Sequence, residues 1–349
     1  MQARLVEYAK ASTVKIAGQR DRHMFSSSLN YKVVRAGIGL LFGLVLLFAC
    51  LRNTNWAEIE HSIIHAKLAW IAFAVLLYWL ELWLRIARWR TLLSHVTPRV
   101  DNKLVGIAFL SGCAANNVLP ARLGEVFRAD TLGRLSKISR FTAFGSIILE
   151  RLLDMFVIVG MAAGGILMFT NAPAILDQIR QILLLIGAVL LAIVVVILLM
   201  TRKSSVFLPA PLQQFSVRFQ HLLTGLHLIG DPSIYIKLIL SSAAIWLLNS
   251  VAVWSILMAL GVNLSIRQVL LLMGLIGISA AIPAAPAGIG TLQYAFYITF
   301  ILVGLPTAVG IAASGIVQLA LLGSATLAGG GVYYYALVTL LNPAKKLPS

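Results

Sequence analysis

Long apolar runs alternate with short polar segments along most of the chain, and this pattern predicts helices that cross a membrane. Several runs reach about 18 residues or more, which is the length a helix needs to span the hydrocarbon core. We expect about six full transmembrane helices, at residues 33–51, 68–87, 141–169, 181–200, 234–259 and within 307–341. The predicted fold class is therefore an all-α polytopic membrane protein.

Two further apolar regions, 104–135 and 267–304, are interrupted by proline and glycine. In the first, the run "LVGIAFLSGCAA" ends at Asn116 and Asn117 after only about twelve residues, which is too short to cross a bilayer. This region also begins and ends next to basic residues, as expected of a chain that returns to the side it entered from. We expect two re-entrant or broken helices, the alternative being kinks in ordinary spans.

The same pattern predicts one membrane domain with short polar ends. We place a basic cytoplasmic segment at 1–32, a single transmembrane domain at 33–341 and a cytoplasmic tail at 342–349. Within the domain we place two halves at about 33–169 and 181–341, and the second half contains a linker at 201–233 between two of its spans. Apolar residues at helical spacing there predict an amphipathic helix at about 212–229 that lies on the membrane surface.

The composition agrees with a membrane protein. Of the 349 residues 60% are hydrophobic and 11% are charged, whereas soluble domains are about 25% charged. The net charge of +16 is concentrated in the segments assigned to the cytoplasm, so it indicates topology and not nucleic-acid binding. We expect a bacterial inner-membrane protein with both termini in the cytoplasm.

The two interrupted regions match each other in sequence. "PARLGEVFRA" begins at Pro120 and "PAGIGTLQYA" at Pro286, 166 residues later, and the match places Gly124 over Gly290. Three predicted crossings separate the two copies, so they enter from opposite faces. This arrangement predicts an inverted repeat, as in many transporters. A chance match between alanine- and glycine-rich segments is the alternative.

Broken helices at these places predict an anion site. The residues expected to form the breaks are Pro120, Gly124, Pro283, Pro286, Gly288 and Gly290. A half-helix that starts at such a break exposes unpaired N–H groups and the positive end of its dipole. Two such ends facing one cavity favour an anion, and phosphate is the obvious anion carried by membrane lipids.

Charged residues lie deep in the run at 141–169, where Glu150, Arg151 and Asp154 share one stretch of helix. Such charges cost several kcal/mol unless they are paired or hydrated. We expect them to pair with the charged residues of the first re-entrant segment, either in a lipid head-group pocket or in a purely structural ion network. The predicted head-group residues are Asn116, Asn117, Arg122, Glu125, Arg128, Glu150, Arg151 and Asp154.

A secondary set of polar residues lies on other spans. Glu81, Arg85 and Arg88 share one helix face; we expect Arg88 to snorkel toward the interface and Glu81 to lie deeper. Gln293 and Tyr294 belong to the second interrupted region, and such residues, like Asn249 and Gln318, more often form interhelical hydrogen bonds. The sequence predicts no catalytic residues, no metal site and no cofactor.

The motif set resembles the lysylphosphatidylglycerol synthase transmembrane region, also called the flippase-like domain family. The resemblance is carried by "NNVLPARLGEVFRA", "ERLLD" and "PAAPAGIGTLQYAF" and covers roughly 35–340. It implies a lipid-translocation role for Arg122, Glu125, Arg128, Glu150, Arg151 and Asp154. Ala287 stands where the family commonly has glycine, which leaves the tight turn to Gly288 and Gly290. The family's soluble aminoacyl-transferase domain is absent before Ser349, so lipid aminoacylation is not implied.

These observations predict a flippase for a phosphate-bearing lipid, either a phospholipid or a lipid of a polyprenyl or hopanoid pathway. Two alternatives stay open: a membrane-embedded transferase, and a non-transporting partner of a lipid or glycolipid biosynthesis complex. The expected partners are anionic or phosphate-bearing membrane lipids. A lipid-synthesis enzyme and a second copy of the chain, as a homodimer, are further candidate partners, and nucleic acid is not.

Overall fold

A computed structural model of the chain describes residues 37–52, 54–96, 100–119, 123–136, 138–167, 181–192, 232–282 and 285–340. Every regular element among these residues is helical, as the apolar pattern predicts. Six of the sequence predictions concern residues outside the described part of the chain: 1–32, Pro120, Arg122, 212–229, Pro283 and 342–349.

The helices follow the apolar runs. In chain order they are α1 (Gly37–Leu51), α2 (Trp56–Ile64), α3 (Leu68–Val96), α4 (Asn102–Val118), α5 (Gly124–Leu135), α6 (Arg140–Leu167), α7 (Gln181–Ala192), α8 (Pro232–Ala259), α9 (Ile266–Ala281), α10 (Thr291–Leu302), α11 (Thr307–Ile316) and α12 (Gly323–Thr339). A 3-10 turn at Pro286–Gly288 precedes α10. A π-helical segment at Val317–Leu322 connects α11 to α12. The three together form one helical unit, Thr307–Thr339.

Three helical units in the described residues are long and apolar enough to cross a membrane. They are Leu68–Ser94 of α3, Ile236–Ala259 of α8, and Thr307–Thr339, which comprises α11, the π-helical segment and α12. The bent pair α1 and α2, with 90° between its axes, is a fourth span if it is counted as one. Helix α6 is 28 residues long but carries three charged residues near its middle. Six full spans stay a prediction.

Helices α3 and α8 pack against each other in antiparallel orientation. At one end the backbone N–H of Lys67 donates to the carbonyl oxygen of Ala259 at 2.9 Å. Toward the other end a guanidinium nitrogen of Arg88 donates to the hydroxyl oxygen of Ser242 at 2.7 Å. The loops that precede α3 and follow α8 therefore lie at the same end of this pair.

Helices α4 and α5 form a hairpin, so the chain turns back within the predicted region 104–135. Gly112 of α4 contacts Arg128 of α5, and Asn116 contacts Gly124 at the start of α5. A Cβ at Gly124 would collide with the carbonyl oxygen of Gly112 and with Asn116, so only glycine allows this approach. Two helices in close contact, and not one kinked span, occupy this part of the sequence.

The second interrupted region is also broken, between α9 and α10. The turn contains three residues with positive φ: Ala287 at 52°, Gly288 at 67° and Gly290 at 84°. The expectation that the glycines alone form the turn was incomplete, since Ala287 adopts the left-handed conformation too, which costs an L-residue about 1–2 kcal/mol. The backbone of Gly290 lies against that of Gly43 in α1, where a Cβ would collide.

Each interrupted region packs on a long helix from the opposite half of the sequence. Helix α9 lies on α6, with Gly274 against Ala162 and Gly277 against Ile158. Helix α4 lies on α12, where Gly329 contacts the carbonyl oxygen of Leu110. Because α4 follows the end of α3 and α9 follows the end of the antiparallel α8, α4 and α9 start at opposite ends of that pair. The space between them contains the site described below.

Candidate functional site

A buried ion network joins α3, α5 and α6. Its positive members are Arg85, Arg88, Arg128 and Arg151, and its negative members are Glu81, Glu125, Glu150 and Asp154. The spacing of the charges on α3 and on α6 places each set on one helix face, toward the partner helix. The four positive and four negative side chains balance, which lowers the cost of burying them.

Arg88 lies at the centre of the network. Its side chain is 0% exposed and forms ion pairs with Glu150 at 3.3 Å and Asp154 at 2.8 Å. The snorkelling predicted for Arg88 is wrong, because the side chain points into the protein and also donates to Ser242 of α8. The sequence contained a signal for this position: Arg88 shares a helix face with Glu81 and Arg85.

Arg128 is held by a carboxylate and by two aromatic rings. Its Nη2 atom donates to Oε2 of Glu150 at 2.8 Å. The guanidinium lies 3.6 Å from the centre of the Trp89 ring and 4.3 Å from that of Phe109, which adds cation–π attraction. Its Nε is buried and has no hydrogen-bond partner among the described residues. The charged segment around Arg128 marks this residue in the sequence, whereas nothing in the apolar context of Trp89 and Phe109 distinguishes the two aromatic residues.

Glu81 bridges α3 and α8. Its Oε1 accepts from Nε of Arg85 at 2.7 Å, and its Oε2 accepts from the side-chain amide of Asn249 at 2.6 Å. Arg85 also approaches Asp154, at 3.5 Å. The deeper position predicted for Glu81 agrees with its 2% exposed side chain.

Arg151 is the most accessible arginine of the network. Its side chain is 35% exposed, against 13% for Arg85 and 5% for Arg128. It approaches Glu150 at 3.2 Å, Glu125 at 3.5 Å and Asp154 at 3.7 Å. These contacts are longer than the shortest bonds of Arg85, Arg88 and Arg128, at 2.7 to 2.8 Å, so Arg151 is the least tightly held arginine of the network.

The network lines a cavity of about 490 Å³, here called the charged chamber. Helices α3, α4, α5, α6, α8 and α9 and the end of the π-helical segment contribute to its wall. Its charged and hydrogen-bonding lining residues include Tyr78, Glu81, Arg85, Asn116, Asn117, Glu125, Arg128, Arg151, Asp154, Trp246 and Asn249. The start of α5, at Gly124 and Glu125, also faces it. Three arginines and the positive end of a helix dipole face this space, together with the carboxylates of Glu81, Glu125 and Asp154.

A second cavity of about 210 Å³, here called the neutral chamber, adjoins the first. The two share Tyr78, Asn116, Asn117, Asn249, Ile276, Ala280 and Leu322. No charged side chain is among the described residues that line the neutral chamber. Its far side is formed by the turn between α9 and α10, at Ala287 and Gly288, and by the π-helical segment.

The structure brings most of the predicted head-group residues together. Asn116, Asn117, Glu125, Arg128, Arg151 and Asp154 line the charged chamber, as do the secondary residues Glu81 and Arg85. Glu150 lies behind the chamber wall, where it pairs with Arg88, Arg128 and Arg151. Their role as lipid ligands stays a prediction.

Residues of the second interrupted region instead hold the turn. The side-chain oxygen of Gln293 accepts from the N–H of Gly290 at 2.7 Å, and its amide donates to Gln318 at 2.7 Å. Gln318 in turn donates to the carbonyl oxygen of Ala287 at 3.1 Å. Tyr294 is 38% exposed and lines neither chamber. The expected interhelical hydrogen bonds of Gln293, Gln318 and Asn249 are therefore present.

Comparison with known proteins identifies related membrane proteins. Residues 36–329 match the sequence profile of the family described as the lysylphosphatidylglycerol synthase TM region, which confirms the resemblance found in the motifs. A UPF0104 membrane protein of Methanothermobacter thermautotrophicus is 26% identical over 309 residues, which are 82% of this chain and 90% of that protein. A UPF0104 membrane protein of Methanocaldococcus jannaschii is 25% identical over 128 residues, covering 36% of this chain and 38% of that protein.

The glycosyltransferase AglD of Haloferax volcanii is also similar. It is 25% identical over 331 residues, which cover 84% of this chain and 53% of AglD. The chain thus spans about half the length of that relative.

Proposed function

The chain belongs to the lysylphosphatidylglycerol synthase transmembrane-region family, and on this basis we propose that it translocates a phosphate-bearing lipid across a bacterial inner membrane. The observation that carries the proposal is the charged chamber, in which Arg85, Arg128 and Arg151 surround a cavity inside an apolar helical bundle. The head group would occupy this chamber while the lipid tails stay in the bilayer.

Arginine suits this task because its planar guanidinium binds phosphate oxygens in pairs and stays charged. The carboxylates of Glu125, Glu150 and Asp154 hold the guanidinium of Arg151. A phosphate takes over part of these contacts on binding, so its charge is paired throughout. An unpaired charge at the bilayer centre costs several kcal/mol, and the prearranged network lowers this cost for the head group.

The proposal includes an inverted repeat of the halves 33–169 and 181–341, with six spans and both termini in the cytoplasm. It is supported by the exchanged packing of α4 on α12 and α9 on α6, and by their starts at opposite ends of the α3–α8 pair. Position 81 corresponds to position 247 at the spacing of 166, within one helical turn of Asn249. The hydrogen bond between Glu81 and Asn249 thus joins nearly equivalent positions of the two halves, as expected close to the symmetry axis of the proposed repeat. Such repeats alternately open one site to either side.

The similarity to AglD favours a second candidate, a membrane-embedded transferase or a non-transporting partner in lipid or glycolipid synthesis. AglD is named as a glycosyltransferase, and the match covers most of this chain. Product formation by the purified protein with a labelled sugar donor and a lipid acceptor would favour this candidate over translocation.

Native mass spectrometry of the purified protein tests the proposed ligand. We expect a phosphate-bearing lipid to co-purify with the wild-type protein, and Arg151→Gln to reduce its occupancy about tenfold, because charged hydrogen bonds are lost. Arg134→Gln is the matched control, since Arg134 is 55% exposed and pairs with Asp130 outside both chambers. Equal occupancy in all three proteins would contradict the proposal.

A further inference from the structure

We propose that the neutral chamber is a subsite for a sugar or a cyclic polyol attached to the phosphate of the lipid. The substrate class would then be a phosphodiester lipid whose head group ends in an uncharged ring that carries several hydroxyl groups. This inference rests on the proposed function, because the phosphate in the charged chamber positions the ring in the neutral one.

The linings of the two chambers differ in charge. The charged chamber has arginines and carboxylates, whereas the polar groups of the neutral chamber are amides and hydroxyls, at Asn116, Asn117, Asn249, Ser279 and Thr291. A second ionised group of a ligand would find no opposite charge among the described residues of the neutral chamber. An uncharged polar group has hydrogen-bonding partners there.

Asn116 supplies an unsatisfied acceptor at the boundary of the chambers. Its Oδ1 atom is buried and has no hydrogen-bond partner among the described residues. A buried acceptor without a donor is unfavourable, so a small rotation of the Asn116 amide that lets a ligand hydroxyl donate to it would be favoured. A hydroxyl group donates a hydrogen bond to such an oxygen, whereas an ionised phosphodiester and an acyl chain have no hydrogen-bond donor.

Two neighbouring amides, those of Asn117 and Asn249, also line both chambers. The Nδ2 of Asn117 donates to the carbonyl oxygen of Leu322 at 3.1 Å and to the hydroxyl of Thr326 at 2.8 Å. The Nδ2 of Asn249 donates to Glu81. The protein therefore uses both donors of Asn117 and one of the two donors of Asn249, which leaves the oxygen atoms of both amides for a ligand. Three amide oxygens in one region favour a ligand with several hydroxyl groups.

The rest of the wall fits the carbon face of a ring. Leu292, Val317 and Leu321 line the neutral chamber beside the polar residues. A sugar ring has an apolar face of C–H groups and an edge of hydroxyls, so it matches a wall with both properties. The volume of about 210 Å³ has room for one ring and not for a long glycan.

Matched lipids test the subsite in nanodiscs that hold the full chain. Phosphatidylinositol and phosphatidylethanol have the same tails and a single phosphodiester charge, and differ in the ring of hydroxyls. A second pair, a prenyl phosphate joined to one hexose and the methyl ester of the same prenyl phosphate, repeats the comparison with another tail. We expect the wild-type protein to bind the ring-bearing lipid of at least one pair about tenfold more tightly.

Two variants separate this proposal from the proposed function. Asn116→Leu should reduce the ratio of the two affinities about tenfold, toward one. Arg151→Gln should weaken both lipids of a pair and leave their ratio unchanged. A wild-type ratio near one in both pairs, or a ratio that Asn116→Leu does not change, overturns the subsite even where phosphate lipids bind. Failure of every phosphodiester lipid to bind overturns the proposed function as well. Asn116→Ala, with a smaller side chain beside Gly124, repeats the test if Asn116→Leu does not fold.

Discussion

Arg88 and Asp154 are joined by two parallel hydrogen bonds, from Nη1 to Oδ1 at 2.8 Å and from Nη2 to Oδ2 at 3.2 Å. The pair connects α3 to α6 behind the wall of the charged chamber, since Arg88 does not line that cavity. It therefore fixes the position of Asp154, which approaches Arg85 and Arg151 on the chamber side. Arg88 is an internal support of the site and not one of its ligands.

Replacement of Arg88 should destabilise the fold strongly. In Arg88→Leu the carboxylate of Asp154 keeps only its longer contacts with Arg85, Arg151 and Nε1 of Trp246, at 3.5, 3.7 and 3.4 Å. Removing one partner of a buried pair costs about 3–5 kcal/mol. We expect the free energy of unfolding, measured by denaturant titration in mixed micelles, to fall by that amount.

The control for this experiment is an exposed ion pair. Arg134→Gln breaks the ion pair with Asp130, in which the side chain of Arg134 is 55% exposed and that of Asp130 is 29% exposed. This change should alter the free energy of unfolding by less than about 1 kcal/mol. Adding Asp154→Asn to Arg88→Leu should recover part of the loss, because the unpaired charge is removed. Similar effects of Arg88→Leu and Arg134→Gln would show that the buried pair is not needed.

The close approach of α4 and α5 predicts a second stability difference. Gly124→Ala places a Cβ against the carbonyl oxygen of Gly112 and against Asn116, so the hairpin must open and the fold should lose about 1–3 kcal/mol. Gly106→Ala on α4 is the matched control, because nothing lies within 4 Å of a Cβ there. Alanine is a better helix former than glycine, so Gly106→Ala should be neutral or stabilising by up to about 1 kcal/mol. Thermal unfolding in detergent compares the two variants, and equal midpoints would contradict the close packing.

The proposed inverted repeat predicts on which side of the membrane each of two loops lies. A cysteine at Ser139, between α5 and α6, should react with a membrane-impermeant maleimide only after the membrane is opened, because the proposed topology places that basic loop in the cytoplasm. A cysteine at Asn263, between α8 and α9, should react in intact cells. Both variants are made in a background with Cys50 and Cys113 replaced by alanine. Labelling of both cysteines from the same side would contradict the opposite entry of the two interrupted regions.

Much of the helical framework could be predicted from the sequence, because apolar length alone determines which segments can cross a membrane. The bounds of α3 and α8 contain the predicted spans, and the hairpin of α4 and α5 was predicted from a run too short to cross. The charges of α6 were also informative, since ionised groups in an apolar helix need partners. The charged residues of the first interrupted region, which form part of α5, were the predicted partners.

The remaining features depend on tertiary contacts. A snorkelling arginine and a buried one look alike near the end of an apolar helix, and the partner of Arg88 on α8, Ser242, lies 154 residues away in the sequence. The contacts of Arg128 with the rings of Trp89 and Phe109 also join residues that are distant in the sequence. The left-handed conformation of Ala287 is unusual for alanine, and it becomes understandable only with Gln318 bonded to its carbonyl oxygen.

Lipid translocation by the reconstituted protein tests the proposed function most directly. Proteoliposomes would contain trace amounts of tail-labelled phosphatidylglycerol, phosphatidylinositol or a prenyl phosphate, and quenching of the outer leaflet would report exchange between leaflets. We predict that the wild-type protein and Arg134→Gln accelerate exchange of at least one of these lipids over protein-free vesicles, and that Arg151→Gln is about tenfold slower or more. Equal rates for Arg151→Gln and the wild-type protein, or no acceleration of any of the three lipids, would contradict translocation through the charged chamber.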